Sequence, residues 1–279
     1  MAGRAGRRGM DEAGFVYLRV NPMHVSYPEV LHLLQGTPEP VHSRFNTTYA
    51  TLLNLYRRHG RGLLSIFPKT LYYAQTSGAR RQSGLELMER KLDLLESMGY
   101  LTRTELTPKG EFGAWVYGYE LLLTELYTEE RLTALDPTSL AVLMAALVYE
   151  PKPRALPPKS HRLSKRLAGL CRDPLARIHK EEIQRHISPR TKTPAFHLSY
   201  AMEAWMSNAP FDRLGKYCDV DEGELVRYFR MTVQLLRQLS EIPAPALEKG
   251  GPGLRATAEK AMRRINRDVI DAEAQLRMG

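Results

Sequence analysis

The chain has 279 residues, 43% hydrophobic and 25% charged, a composition that suits one or two soluble globular domains. No run of 18 apolar residues is present, and no apolar stretch follows the first arginines, which excludes a membrane-spanning helix or a secretory signal. Two cysteines, Cys171 and Cys218, are too few for a disulfide framework and lack C-x-x-C spacing, so a reducing cytoplasm is the expected setting.

The net charge is +9, and one segment carries it. Of 40 Lys/Arg and 31 Asp/Glu, 12 and 3 lie between Lys152 and Lys192, which leaves 28 of each elsewhere. A focused basic patch favours a polyanion such as nucleic acid, because neutralising phosphates releases condensed counterions. The segment's prolines (Pro153, Pro157, Pro158, Pro174, Pro189 and Pro194) point instead to a solvated loop, and both readings stay open here.

In chain order, Gly3-Arg4-Ala5-Gly6-Arg7 comes first. Two arginines three apart among glycines suit a triphosphate, since each guanidinium fork can bind phosphate oxygens bidentately. A Gly/Arg tail that binds RNA loosely fits the same composition. Phe15–Val20 (FVYLRV) reads as a short strand ended by Asn21-Pro22. Phe45, Tyr49, Leu52, Leu53 and Tyr56 recur with helical spacing, with Ser43 as a possible N-cap. Leu63–Ala74 is a weaker apolar segment, and Gly78–Gly84 reads as a basic loop. Leu85–Met98 predicts an amphipathic helix closed by Gly99. Two β-rich pieces, Tyr100–Leu106 and Phe112–Tyr117, flank Pro108-Lys109-Gly110 and predict a hairpin of the winged-helix kind.

Beyond this the pattern is helical. Tyr119–Leu132 and Pro137–Tyr149 are two helices, the second with Asp136 as cap and Pro137 at its first position. Ser199–Asn208, Asp221–Leu239 and Leu254–Gln275 are three more. In the helix DEGELVRYFRMTVQLLRQL, Arg227, Arg230, Gln234 and Arg237 share one face beside an apolar stripe of Leu225, Phe229, Val233 and Leu236. Such a face can track a nucleic-acid backbone, although a solvated helix face has the same pattern.

A self-contained enzyme is not legible. The chain has no G-x-x-x-x-G-K-[ST], no HExxH and no G-x-S-x-G, and its eight histidines show no ligand spacing, so no metal site is expected. Asp11-Glu12-Ala13-Gly14 mimics a DEAD-type box, but arginines and glycines precede it where a buried strand is needed.

The motifs in combination resemble one family. GRAGRRGMDEAGFVYL is similar to motif VI of superfamily II helicases, in the form found in the superkiller-type DExH-box RNA helicases. PVHSRFNTTYATLLNLYR resembles that family's entry into its winged helix. The stretch from LDLLESMGYL to LVYEPK, with GYELLLTEL inside it, resembles the start of its helical DSHCT domain. EGELVRYFRMTVQLLRQL is similar to its ratchet helix, and RRINRDVIDAEAQL to its terminal helix. Departures are Met231 in place of a second paired arginine, Gln234 in place of an acid, and Gln275-Leu276-Arg277 in place of the family's ending.

The resemblance implies a mainly α chain: a remnant of the second RecA-like α/β motor domain (1–36), a winged-helix region (37–117) and a helical bundle (118–279). It implies that Gly3, Arg4, Gly6 and Arg7 belong to an ATP site, with Arg4 and Arg7 meeting the γ-phosphate. It implies that Arg227, Arg230, Gln234 and Arg237 grip single-stranded RNA with a 3′ tail. ATP and Mg2+ are cofactors of a complete helicase, and this chain alone is expected to bind neither, because the P-loop and DExH box are absent from it. The family's Gln would precede residue 1. The short span between Gln75 and Leu85 leaves no room for an arch insertion, so exosome-type partners are not expected. The alternative is a stand-alone winged-helix nucleic-acid-binding protein without catalysis.

Overall fold

The computed structural model describes residues 11–15, 17, 20, 21, 23–35, 41–43, 47–152, 156, 160–247 and 250–271. Residues 1–42 and 43–279 form two separate compact units.

In the first unit the described residues hold one helix, α1 (Tyr27–Gln35), entered through Ser26, whose amide and hydroxyl both donate to Glu29. The strand expected at Phe15–Val20 is not formed at its described positions. Phe15 and Tyr17 are 78% and 91% exposed. A strand is stable only when a neighbour pairs its backbone, and no other described residue of this unit is in a strand.

Among its described residues the second unit is mainly helical. It begins with α2 (Tyr49–His59), capped by Thr48 Oγ1, which accepts from the Thr51 amide at 3.1 Å. The expected cap, Ser43, lies outside the helix, and Phe45 lies outside the described residues. A 3₁₀ stretch (Gly60–Lys69) and the short α3 (Leu71–Gln75) follow, then α4 (Gly78–Ser97). The expected basic loop at Gly78–Gly84 is thus the first part of α4.

The hairpin is the larger correction. Tyr100–Leu106 closes on itself, through a bridge between Leu101 and Leu106, and Pro108–Trp115 is a helix, α5. Thr107 Oγ1 accepts from the Gly110 amide at 3.1 Å, and Pro108 sits at the start, where its missing N–H costs nothing. Local capping therefore overrides the β propensity of the aromatic residues after it. Gly110 is required because a Cβ there would lie 1.9 Å from the Tyr100 carbonyl oxygen, so only glycine lets α5 dock on that segment.

The bundle contains α6 (Glu120–Thr128), α7 (Pro137–Val148), α8 (Arg162–Gln184), α9 (Ser199–Met206), α10 (Glu222–Glu241) and α11 (Gly251–Ile265). The expected start of α7 is borne out: Asp136 Oδ1 accepts from the Thr138 and Ser139 amides at 2.9 and 3.1 Å. Every residue of α7 from Ser139 to Val148 is buried, the pattern of a helix with neighbours all round. It packs on α8, α9, α10 and α11, while α10 and α11 pack on each other. Trp205 of α9 is fully buried beside Phe229 of α10 and donates from Nε1 to the Ile265 carbonyl at 2.9 Å. Arg267 lies over the Trp205 ring at 3.5 Å and donates to the Trp205 and Ala209 carbonyls. The terminal helix is shorter than expected: α11 ends at Ile265, and Asp268–Ile270 form a 3₁₀ turn.

Of the two readings the sequence left open for the basic segment, the solvated loop does not hold. Most of it is α8, not a loop. Leu163, Leu167, Leu170, Cys171, Leu175 and Ile178 recur at helical spacing and face the core. Pro174 sits inside this helix and has no amide for the Leu170 carbonyl. Arg131 Nη1 fills the gap, donating to Leu170 O at 2.8 Å. The helix is then anchored by Glu182, whose fully buried carboxylate accepts from the Tyr49 hydroxyl, the Thr191 amide and the Thr191 hydroxyl.

Candidate nucleic-acid interface

α10 divides its 20 residues between two faces. Leu225, Phe229, Val233 and Leu236 are buried as expected, joined by Tyr228, Thr232, Leu235 and Leu239. Two acids in the first turn, Glu222 and Glu224, complement the positive end of the helix. The opposite face carries Arg227, Met231, Gln234 and Arg237 exposed, with Arg230 half-buried. From Arg227 to Arg237 the face runs about 15 Å, at 1.5 Å per residue.

Along this face runs an open groove of about 600 Å3. One wall is α10, with Val226, Arg227, Arg230, Met231, Gln234 and Gln238. The other is the turn Tyr117–Gly118–Tyr119 between α5 and α6. Gly118 has φ +86°, which lets the chain reverse here. The Tyr117 amide donates to Gln238 Oε1 at 3.0 Å and ties the two walls together. The Tyr117 ring is 53% exposed, whereas burial and then the nearby Glu150 carboxylate push the Tyr119 hydroxyl up to about 12.

The four residues expected on this face are brought together, but not with equal freedom. Arg227 lies over the Tyr228 ring at 4.5 Å, and its charge helps hold the Glu150 carboxyl below its ordinary value, after the larger effect of Lys192. Gln234 and Arg237 are open to solvent. Arg230 is already engaged: Nε donates to Ile270 O at 3.0 Å and Nη2 to Val269 O at 2.9 Å, which pins the Asp268–Ile270 turn to α10. Tyr117, Met231 and Gln238 were not singled out as groove residues. Helical spacing could have added Met231 and Gln238, four residues after Arg227 and Gln234. Nothing in the sequence brings Tyr117 to α10. Gly3, Arg4, Gly6 and Arg7 lie outside the described residues. Among the described residues no group of three His, Cys, Asp or Glu side chains could hold a metal ion. No described helix is long and apolar enough to cross a membrane.

A surface helix that offers a cationic face to a groove has the chemistry to contact a phosphate backbone. Residues 103–273 match the DSHCT (NUC185) domain, more than half of the chain, and the chain belongs to that family. The match runs straight through the basic segment and α8. Among its relatives is the ATP-dependent RNA helicase mtr4 of Schizosaccharomyces pombe, 28% identical over 203 residues, which is 70% of this chain and 18% of that protein. The Exosome RNA helicase MTR4 of Homo sapiens is 24% identical over 200 residues, 70% of this chain and 19% of that protein. The Superkiller complex protein 2 of Homo sapiens is 26% identical over 134 residues, 47% of this chain and 10% of that protein. The resemblance to superkiller-type RNA helicases drawn from the motifs is borne out at this level. The chain spans less than a fifth of the length of the curated relatives it matches.

Proposed function

We propose that this chain supplies the RNA-gripping C-terminal part of an ATP-dependent RNA helicase. The observation that carries the reading is the exposed face of α10, where Arg227 and Gln234 line one side of a groove, Tyr117 the other, and Arg237 extends the same face beyond it, open to solvent. Guanidiniums neutralise phosphates, and an exposed ring gives a base a stacking surface. Arg230 shapes this wall by holding the Asp268–Ile270 turn against it. Alternating grip and release on this face, driven by motor domains opening and closing, would move single-stranded RNA in one direction.

ATP and Mg2+ would belong to the complete helicase. Arg4 and Arg7 of the motif VI string would add positive charge beside the γ-phosphate, and Gly3 and Gly6 would allow the close approach. The reading of an arch-less helicase is supported by the link between α3 and α4, which is only Thr76-Ser77. The alternative, a stand-alone winged-helix protein, loses support because residues 108–115 form α5 rather than part of a wing.

The test is binding of a labelled single-stranded oligouridine to the chain, followed by fluorescence anisotropy. Arg227→Glu with Arg237→Glu should lower the slope of log affinity against log salt by about 1.4, at roughly 0.7 per phosphate contact on single strands. An unchanged slope with an intact fold would overturn the reading.

A further inference from the structure

α10 does not absorb the chain's excess charge, which is concentrated between Lys152 and Lys192. Part of that charge is spent inside the fold. Lys152 pairs with Glu224, Lys192 with Glu150, Arg177 with Glu129, Arg185 with Glu181, and Arg166 approaches Asp136 at 3.8 Å. Each of these acids except Glu181 lies outside the basic segment, and each pair ties the segment to a neighbour or to itself.

Four cations of α8 are left over. Arg162, Lys165, Arg172 and Lys180 are exposed, and none has an acid within 4.0 Å among the described residues. At 100° per residue they fall within one outward sector of the helix, about 27 Å from first to last at 1.5 Å per residue. The only acid between Arg162 and Lys180 is Asp173, also exposed and in the same sector. A face that serves solubility alone mixes both signs, and like charges three or four residues apart repel. This face keeps the repulsion.

The apolar side of α8 is already buried on α6 and α7, so the helix has no free hydrophobic face to lay into a lipid surface. Ile183 is its one large exposed hydrophobic residue among those described, and no aromatic ring of α8 offers a base a platform. The face can contact phosphates but cannot read bases. It is also separate from the groove, since α8 packs on α6 and α7 while α10 packs on α7 and α11.

We propose that Arg162, Lys165, Arg172 and Lys180 form a second RNA contact, a sequence-independent track for the phosphate backbone on the outer face of α8. This rests on the reading that the chain binds RNA, but not on the α10 groove as the place where it does so. The two surfaces would let one RNA be held at two points, which raises avidity without new base contacts.

The experiment measures anisotropy of oligouridine and oligoadenosine, long enough to reach both surfaces, on three forms of the chain. These are the natural protein, R162Q/K165Q/R172Q/K180Q, and R227Q/R237Q. The α8 variant should bind both oligomers roughly 10–100-fold more weakly at moderate salt, with a slope against log salt lower by about 2–3. All four positions are exposed, so circular dichroism and the melting temperature should stay unchanged. If only the α10 variant loses affinity, the α8 inference is wrong and the groove reading stands. If only the α8 variant loses it, the groove reading fails and the α8 track stands. If neither does, both fail. A loss confined to one of the two oligomers would overturn a backbone track. Competition by polyglutamate as effective as that by RNA of equal charge would overturn the assignment to nucleic acid in favour of an acidic protein.

Discussion

α8 and α10 are the two long helices of the bundle, 23 and 20 residues, and both bury one face and expose cations on the other. They differ in what surrounds those cations. On α10, Arg227 and Arg230 stand in a groove wall with a thioether, an amide and the Tyr117 side chain among its lining, and Arg230 is held by two carbonyls. On α8 the unpaired cations stand alone on an outward face, while their neighbours pair with acids of α6, the Asp136 turn and the ends of the segment itself. The same residue types thus make a shaped site on one helix and a plain electrostatic strip on the other. Charge is enough for attraction, but a site also needs an opposing wall.

The strongest way to break the comparison is to remove the packing behind α10. Trp205→Ala deletes a fully buried ring that touches Phe229 and bonds Ile265. It should cost about 3–5 kcal/mol in urea unfolding. A loss near 1 kcal/mol would mean that the bundle does not depend on this contact. On the other helix, Glu182→Ala leaves the Tyr49 hydroxyl and the Thr191 amide without their acceptor. The expected cost is about 1–3 kcal/mol, with the 187–195 loop exchanging its amides faster than α10 in hydrogen exchange. Uniform acceleration of both helices would show that α8 has no separate anchor.

The smallest effect lies at the start of α7, which packs on both helices. Burial works against ionisation of Asp136, but hydrogen bonds from Ser139 and Thr138 outweigh it and hold the carboxyl below its ordinary value of 3.8. A depressed folded value stabilises the fold above the unfolded value, and the gain is lost as the pH falls through the folded one. Asp136→Ala should therefore cost about 1 kcal/mol at pH 7 and progressively less as the pH drops below 3.8. A cost independent of pH would place the effect in packing instead of capping.

Much of the bundle was legible. The caps at Asp136 and Pro137, the buried stripe of α10 and the basic face beside it all rest on contacts within one or two helical turns, which spacing alone encodes. Other elements were misread or left open because their signals conflict locally. The prolines of the basic segment suggested a loop, yet Pro174 is tolerated because Arg131 takes over the carbonyl it leaves free. The aromatic run at 112–117 suggested a strand, yet Thr107 and Pro108 start a helix first. FVYLRV suggested a strand, but pairing it requires a neighbour.

The sequence by itself determined the family motifs, the mainly helical class and the concentration of charge, because composition and periodicity need no partner. Only the tertiary structure decided which cations remain free. Ion pairing depends on acids from distant segments, such as Glu129 beside Arg177 and Glu150 beside Lys192, and no spacing rule links residues so far apart in the chain. It also decided the groove, since Tyr117 reaches α10 only through the turn at Gly118 and the bond from its amide to Gln238.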